Sequence, residues 1–310
     1  MNYLVTGGTG FVGAYVTKQL AEKGDHVTAL DVKVDEERLN RLIDTGSREN
    51  VRTAVCDITD LNALVKICEE NRIEKIIHTA AVLDSKNPPL TTAVNCVGTV
   101  NILEAGLRVA AKRIVIASSV SAFGSPDRYE QEYIPNNAPQ YPSTVYGASK
   151  SFIEGAVQDY YKRGVDAIVC RFTHVYGPGR LNGMGAAIDN NLVTYPALGQ
   201  PGDVPLGEDT HNWLYVKDAA KALITAACVE KTVNRCFTTG GDVASVVEAA
   251  DIVRTIIPDA QITLQPGKFY LANKFDYTET REDLGFVNDY TIQTGIADFI
   301  DEVRKEHDLT

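Results

Sequence analysis

Tyr146 and Lys150 stand four residues apart in the run Tyr146-Gly147-Ala148-Ser149-Lys150. On a helix that spacing places the two side chains one turn apart. A tyrosine hydroxyl is a poor base at neutral pH, because its ordinary pKa lies near ~10. A neighbouring ammonium stabilises the phenolate and is expected to bring that pKa down. Such a pair can take the proton of a carbinol while hydride leaves its carbon. The third requirement is a hydroxyl that holds the substrate oxygen, and Ser118-Ser119-Val120-Ser121 supplies candidates. Ser119 is the expected holder, and Ser121 is a candidate substrate contact.

A hydride needs an acceptor, and the chain opens on a loop suited to one: Val5-Thr6-Gly7-Gly8-Thr9-Gly10-Phe11-Val12-Gly13. Gly7 makes the tight turn, Gly10 lets a pyrophosphate approach the backbone, and Gly13 lets helix and strand pack closely. The helix N-terminus offers unpaired N–H groups to the phosphates, with Phe11 and Val12 in its first turn. Asp31 follows Gly10 by 21 residues at the end of the second expected strand. Its carboxylate can accept from an adenosine ribose and would repel a 2′-phosphate, so NAD is expected over NADP. Asp57-Ile58 could flank the adenine, or Asp57 could cap a helix near Thr59 and Asp60. Ala80 and Ala81 are small enough to let backbone approach the cofactor. Tyr146 and Lys150 complete the cofactor set, Lys150 by holding the nicotinamide ribose.

These residues need a scaffold that brings strand ends together. Short apolar runs at 3–6, 26–31, 52–56, 75–79, 113–118, 167–172 and 235–238 alternate with helical stretches. The helices are expected at 12–23, 61–71, 89–109, 144–163, 216–227, 244–256 and 291–305. That alternation predicts an α/β fold, a Rossmann-type doubly wound parallel sheet with a smaller C-terminal substrate-binding domain. Residues 1–176 would form the NAD-binding part, with a returning strand near 235–238, and 177–310 mainly the substrate region. Ile292, Ile296, Phe299, Ile300 and Val303 recur at helical spacing, so the last helix reads as docked. The proline-rich 125–143 precludes a continuous helix and is expected to border the site.

With 310 residues, one large or two unequal domains are expected. A net charge of −11 argues against a nucleic-acid surface and weakly against anionic membranes. No basic leader and no apolar run of ~18 residues is visible, so a cytoplasmic location without a membrane span is expected. Six dispersed cysteines without a CxxC read as free thiols, and no cluster has metal-ligand spacing.

The chain resembles the extended branch of the short-chain dehydrogenase/reductase family, the NAD-dependent epimerase/dehydratase type. The resemblance covers most of the chain. It rests on the glycine loop, Asp57-Ile58, His78-Thr79-Ala80-Ala81, residues 95–101, Ser118-Ser119, Tyr146 to Lys150, and Arg171 to Pro178. It implies Ser119, Tyr146 and Lys150 as catalytic residues, and a homodimer built on the helices near 89–109 and 144–163. Departures narrow the reaction. Val120-Ser121 stand where sugar-nucleotide dehydratases carry Asp-Glu. His174 and His211 stand where nucleotide-sugar enzymes usually carry Asn and Arg. Losing that cation weakens the case for a diphosphate. Arg180 could grip a carboxylate or phosphate, or be a solvated loop residue. His174 could touch substrate, or pack at a strand end. Asp84, Ser85 and Lys86 could contact substrate, or be solvated. Asn95 could hold an active-site group, or pack inside its helix.

Three functions compete at this point. The first is a dehydrogenase or reductase acting on a small polyhydroxy compound, sugar-like or sugar-acid-like. The second is a nucleotide-sugar epimerase that retains its NAD. The third is a non-catalytic NAD-binding scaffold, which would normally have lost one of the three catalytic side chains.

Overall fold

Leu4, Val5, Ile76, Ile77, Ile114, Val115, Ile116, Ile168 and Val169 are all buried. Burial of successive residues, pointing to opposite faces, requires a strand covered on both sides. The computed structural model describes residues 1–83 and 86–309. Its strands are β1 (Asn2–Thr6), β2 (His26–Asp31), β3 (Val51–Val55), β4 (Lys75–His78), β5 (Arg113–Ser119), β6 (Ala167–Phe172), β7 (His174–Tyr176), β8 (Gly202–Val204), β9 (Thr210–Tyr215), β10 (Cys236–Thr239), β11 (Asp242–Ser245) and β12 (Ile262–Leu264). Seven of them form one sheet in the order β10-β6-β5-β4-β1-β2-β3, paired in parallel throughout.

Alternate residues of these strands enter two separate apolar layers. Val5, Ile77, Val115 and Ile168 join the layer made with Ala14, Val16, Leu20, Ala220 and Leu223. Those partners lie on the helices Phe11–Glu22 and Val216–Cys228. Leu4, Ile76, Ile114, Ile116 and Val169 join Leu64, Ile102, Leu103, Ile153 and Val157. Those lie on Leu61–Glu70, Thr99–Arg108 and Val145–Lys162. This is the doubly wound arrangement the alternation predicted, and it collects the site residues at the C-terminal strand ends.

The expected helix 89–109 is not uniform. Pro88–Thr92 runs into a π-helical turn, Ala93–Gly98, before Thr99–Arg108. Asn95 lies in the wide turn, and its side chain pairs with both backbone groups of Val82. The expected helix 244–256 begins only at Val246, because Ala244 pairs with His211 in β11·β9. Ser245 and Glu248 form the capping box that starts it.

The two regions interleave. β7 follows β6 closely but pairs with β9 in the three-stranded sheet β11-β9-β7. The Val216–Cys228 helix comes after 177 in the chain, yet it covers the large sheet.

Candidate active site

The first turn is built by steric exclusion. Gly7 has φ +64°, and a Cβ there would lie 2.8 Å from the Ala80 nitrogen. A Cβ on Gly13 would lie 2.0 Å from the Gly7 oxygen, so helix and turn touch backbone to backbone. Gly8, given no role from the sequence, is as constrained: its Cβ would meet the Val5 oxygen at 2.6 Å and Ala29 Cα at 2.8 Å. Gly10 caps the helix without a side chain and donates its N–H to the Gly7 oxygen at 2.9 Å. The first turn holds no acidic residue, leaving its N–H groups suited to an anion.

Asp31 ends β2 and accepts a hydrogen bond from Thr9 Oγ1 at 3.0 Å, which ties the glycine turn to the carboxylate. A bare backbone cradle with an acceptor one strand away fits a dinucleotide whose ribose carries a free 2′-hydroxyl. Asp31→Ala is expected to weaken NAD binding about 10–100-fold, the scale of a hydrogen bond to a charged group. Calorimetric titration with NAD and NADP checks this, and an unchanged NAD affinity would remove Asp31 from the ribose.

Asp57 is exposed, and its Oδ1 accepts from the N–H and hydroxyl of Thr59. It is not the helix cap: Asp60 takes that role, accepting from the Ala63 N–H at 3.0 Å. Ile58 is buried against Gly98, where a Cβ would come within 2.5 Å of its Cδ1. Ala80 and Ala81 are half-buried beside the Gly7 turn. Phe11 and Val12 are half-buried in the first helical turn.

Thr144 starts the Tyr146 helix, its hydroxyl accepting from the Gly147 N–H at 3.0 Å. A Cβ on Gly147 would lie 2.4 Å from the Ser121 oxygen, so this helix begins hard against the turn that ends β5. Ser119 Oγ accepts from the Ser121 N–H at 3.1 Å and donates to Ser121 Oγ at 3.0 Å. Lys150 is buried; its ammonium donates to the Ala117 oxygen at 2.9 Å and sits 5.5 Å from the Tyr146 ring centroid. Asn95 donates to Ser149 Oγ at 3.1 Å, linking the π turn to the same helix.

The acidity of Tyr146 differs from the expectation. Burial pushes its pKa above the ordinary value, and a hydrogen bond with Ser119 and the charge of Arg180 only partly oppose this. Burial also pushes Lys150 down to about 8, which costs the pair some of its ammonium charge at neutral to alkaline pH. At Tyr146 desolvation outweighs the Ser119 hydrogen bond and the Arg180 charge together.

Behind these groups lies a buried ion pair the sequence did not reveal. Arg171 on β6 donates through Nε and Nη2 to the two oxygens of Glu154, each at 2.8 Å. Ser118 Oγ and Gln140 Nε2 also donate to Glu154, and Arg171 Nη1 donates to the Asn136 oxygens.

On the far side of Ser119, the His174 and His211 rings stack at 4.8 Å, with Trp213 edge-on to both. Trp213 donates to the Ala244 oxygen at 2.9 Å, which anchors it in the small sheet. His174 Nε2 lies 3.1 Å from Asp189 Oδ1. Arg180 is not a solvated loop residue. Its Nη1 donates to the Val175 oxygen at 2.6 Å and faces Asp189 Oδ2 at 3.6 Å, and its guanidinium lies 5.7 Å from the Phe11 ring centroid. Burial, then His174 and Arg180, push His211 down to about 3, so this ring is neutral at physiological pH. Lys86 is exposed, away from this stack in the sequence, and Asp84 and Ser85 lie outside the described residues. No group of metal-binding side chains occurs among the described residues.

A Rossmann sheet with Ser119 at the end of β5 and with Tyr146 and Lys150 on the helix that follows is the pattern of an extended short-chain dehydrogenase/reductase, an NAD-using enzyme. The model of the NAD dependent epimerase/dehydratase family matches residues 3–235. The chain belongs to that family. It is 30% identical over 265 residues to a putative UDP-glucose 4-epimerase of Methanocaldococcus jannaschii, covering 81% of each chain. It is 30% identical over 246 residues to a UDP-glucose 4-epimerase of Neisseria meningitidis, covering 72% of each. Its fold matches a UDP-glucose 4-epimerase of Thermotoga maritima with TM-score 0.85 at 24% identity, over 99% of this chain and 100% of that one. It matches an L-threonine dehydrogenase of Phytophthora infestans equally well, with TM-score 0.85 at 22% identity over the same shares. The same fold thus occurs in a UDP-glucose 4-epimerase and in an L-threonine dehydrogenase.

Proposed function

We propose that this enzyme transfers hydride between NAD and a secondary alcohol or ketone of a small polyhydroxy substrate. The observation that carries the reading is the grouping of Ser119, Tyr146 and Lys150 at the end of β5 and the start of the adjoining helix. Ser119 holds the substrate oxygen, Tyr146 Oη takes the carbinol proton, and Lys150 supplies positive charge beside the phenol. NAD, held by the Gly7–Gly13 turn and Asp31, supplies the hydride acceptor. Absence of an acid–base pair after Ser119 argues against elimination, since Val120 is buried and apolar.

Net redox chemistry is preferred to epimerisation because His211 replaces the cation expected for a nucleotide diphosphate. The epimerase reading keeps the support of the UDP-glucose 4-epimerase relatives. Purified protein is expected to bind added NAD and to form NADH from a free polyol, sugar or sugar acid, followed at the NADH absorbance band. Isomerisation of a UDP-sugar on retained NAD with no net NADH would favour the epimerase instead.

We further propose a homodimer through the helices around 88–108 and 145–162. Leu90, Val97, Leu107, Phe152 and Tyr161 are exposed there, which is costly unless a second copy covers them. A cytoplasmic location suits the six free cysteines. No helix of the described residues is long and apolar enough to cross a membrane.

A further inference from the structure

A small cleft beside Val120, the residue after Ser119, has a lining without a cation. Thr173, His174, Asp209 and His211 line it, and no lysine or arginine does so among the described residues. Asp209 brings a carboxylate, with His211 Nε2 at 3.8 Å, beyond hydrogen-bond distance. Burial keeps that imidazole neutral, so it does not offset the charge. Asp189 lies behind His174 and is 1% exposed. Arg180 is spent on the protein: it donates to Val175, pairs with Asp189, and covers Gly185, where a Cβ would lie 2.1 Å from its Cζ. Two buried polar atoms of residues lining this cavity lack a hydrogen-bond partner: Thr173 Oγ1 and His211 Nε2.

Unsatisfied buried polar atoms cost free energy, and a ligand that pairs with them recovers it. A hydroxyl can donate to a carboxylate or imidazole and accept from a threonine hydroxyl. A phosphate or carboxylate can only accept, and would face Asp209 with no cation to pair with. We propose that Asp189, by pairing with Arg180 and holding its guanidinium out of the cleft lining, makes this cleft select substrates whose end remote from the reacting carbinol is uncharged and hydroxylated. Anionic ends are rejected, nucleotide diphosphates included. The proposal rests on the hydride-transfer reading and narrows its substrate class from sugar-like or sugar-acid-like to neutral polyols and sugars.

The test uses the full chain loaded with NAD, and UDP as the probe, titrated calorimetrically. The unsubstituted protein is expected to bind UDP no more tightly than the millimolar range. Asp189→Asn frees the Arg180 charge and is expected to tighten UDP binding about tenfold, the order expected for one partly screened charge. The double variant Asp189→Asn with Arg180→Gln is expected to return to the weak binding. Arg180→Gln alone is expected to leave UDP binding as weak as before, which keeps a readout if Asp189→Asn fails to fold. Micromolar UDP binding by the unsubstituted protein would overturn the proposal. So would an Asp189→Asn protein with unchanged affinity, or an Arg180→Gln protein that loses UDP binding. Turnover is read separately, comparing kcat/KM for a neutral hexose against its 6-phosphate. A preference for the phosphate also overturns the charge argument. Absence of NADH from every alcohol tried, with weak UDP binding, instead sinks the hydride-transfer reading and leaves the cleft's charge selection standing.

Discussion

Tyr146→Phe is expected to lower kcat about 10²–10⁴-fold, the usual contribution of a positioned general base. NAD affinity should stay close to that of the unsubstituted enzyme, because the phenol ring and its packing remain. The pH profile gives a second readout. Burial raises the Tyr146 pKa, so the phenolate is scarce at neutral pH and oxidation of the alcohol should speed up as pH rises. That ascending limb should vanish in Tyr146→Phe. Stopped-flow NADH formation measures the rate, and calorimetry measures NAD binding. Equal losses in rate and NAD affinity would remove Tyr146 from proton transfer and make it a binding residue.

Glu154→Gln is expected to cost about 3–5 kcal/mol of stability, the penalty for leaving one member of a buried ion pair uncompensated. Arg171 would keep its charge with neutral partners alone: the new amide oxygen at position 154, Asn136, Thr238 and the Phe123 ring, 5.0 Å from its guanidinium carbon. The loss should reach the site as well, because Glu154 accepts from Ser118, the residue before Ser119. A thermal or denaturant unfolding curve gives the stability change. A change below about 1 kcal/mol, the range of exposed pairs, would show that solvent reaches the pair.

The sheet was legible in the sequence because its strands are covered on both faces. Short apolar, β-branched runs such as Ile114 to Ile116 read as buried strands by their length and residue types. The glycine turn and the Tyr146/Lys150 pair were legible for a related reason: each needs particular residue types at short spacing. What stayed hidden depends on residues far apart in the chain. Nothing near Glu154 in the chain signals that β6 places Arg171 beside it. Arg180 could be read as an anion grip or a solvated loop residue; its pairing with Asp189, which also meets His174 of β7, was not visible. β7, β8, β11 and β12 are three or four residues each, too short for a periodic signal. Tyr146 was read with the right neighbour, but its own burial, invisible in the sequence, pushes its pKa up.

β10, Cys236–Thr239, completes the parallel sheet alongside β6, while the chain between them wanders into the smaller sheet and back. During synthesis, β6 leaves the ribosome with one row of backbone groups bare and stays so until residue 239 has emerged. A nascent chain stalled or cleaved before that point offers an open strand edge to its neighbours, which is a route to aggregation. Truncations meant to isolate the nucleotide-binding half inherit the same exposed edge.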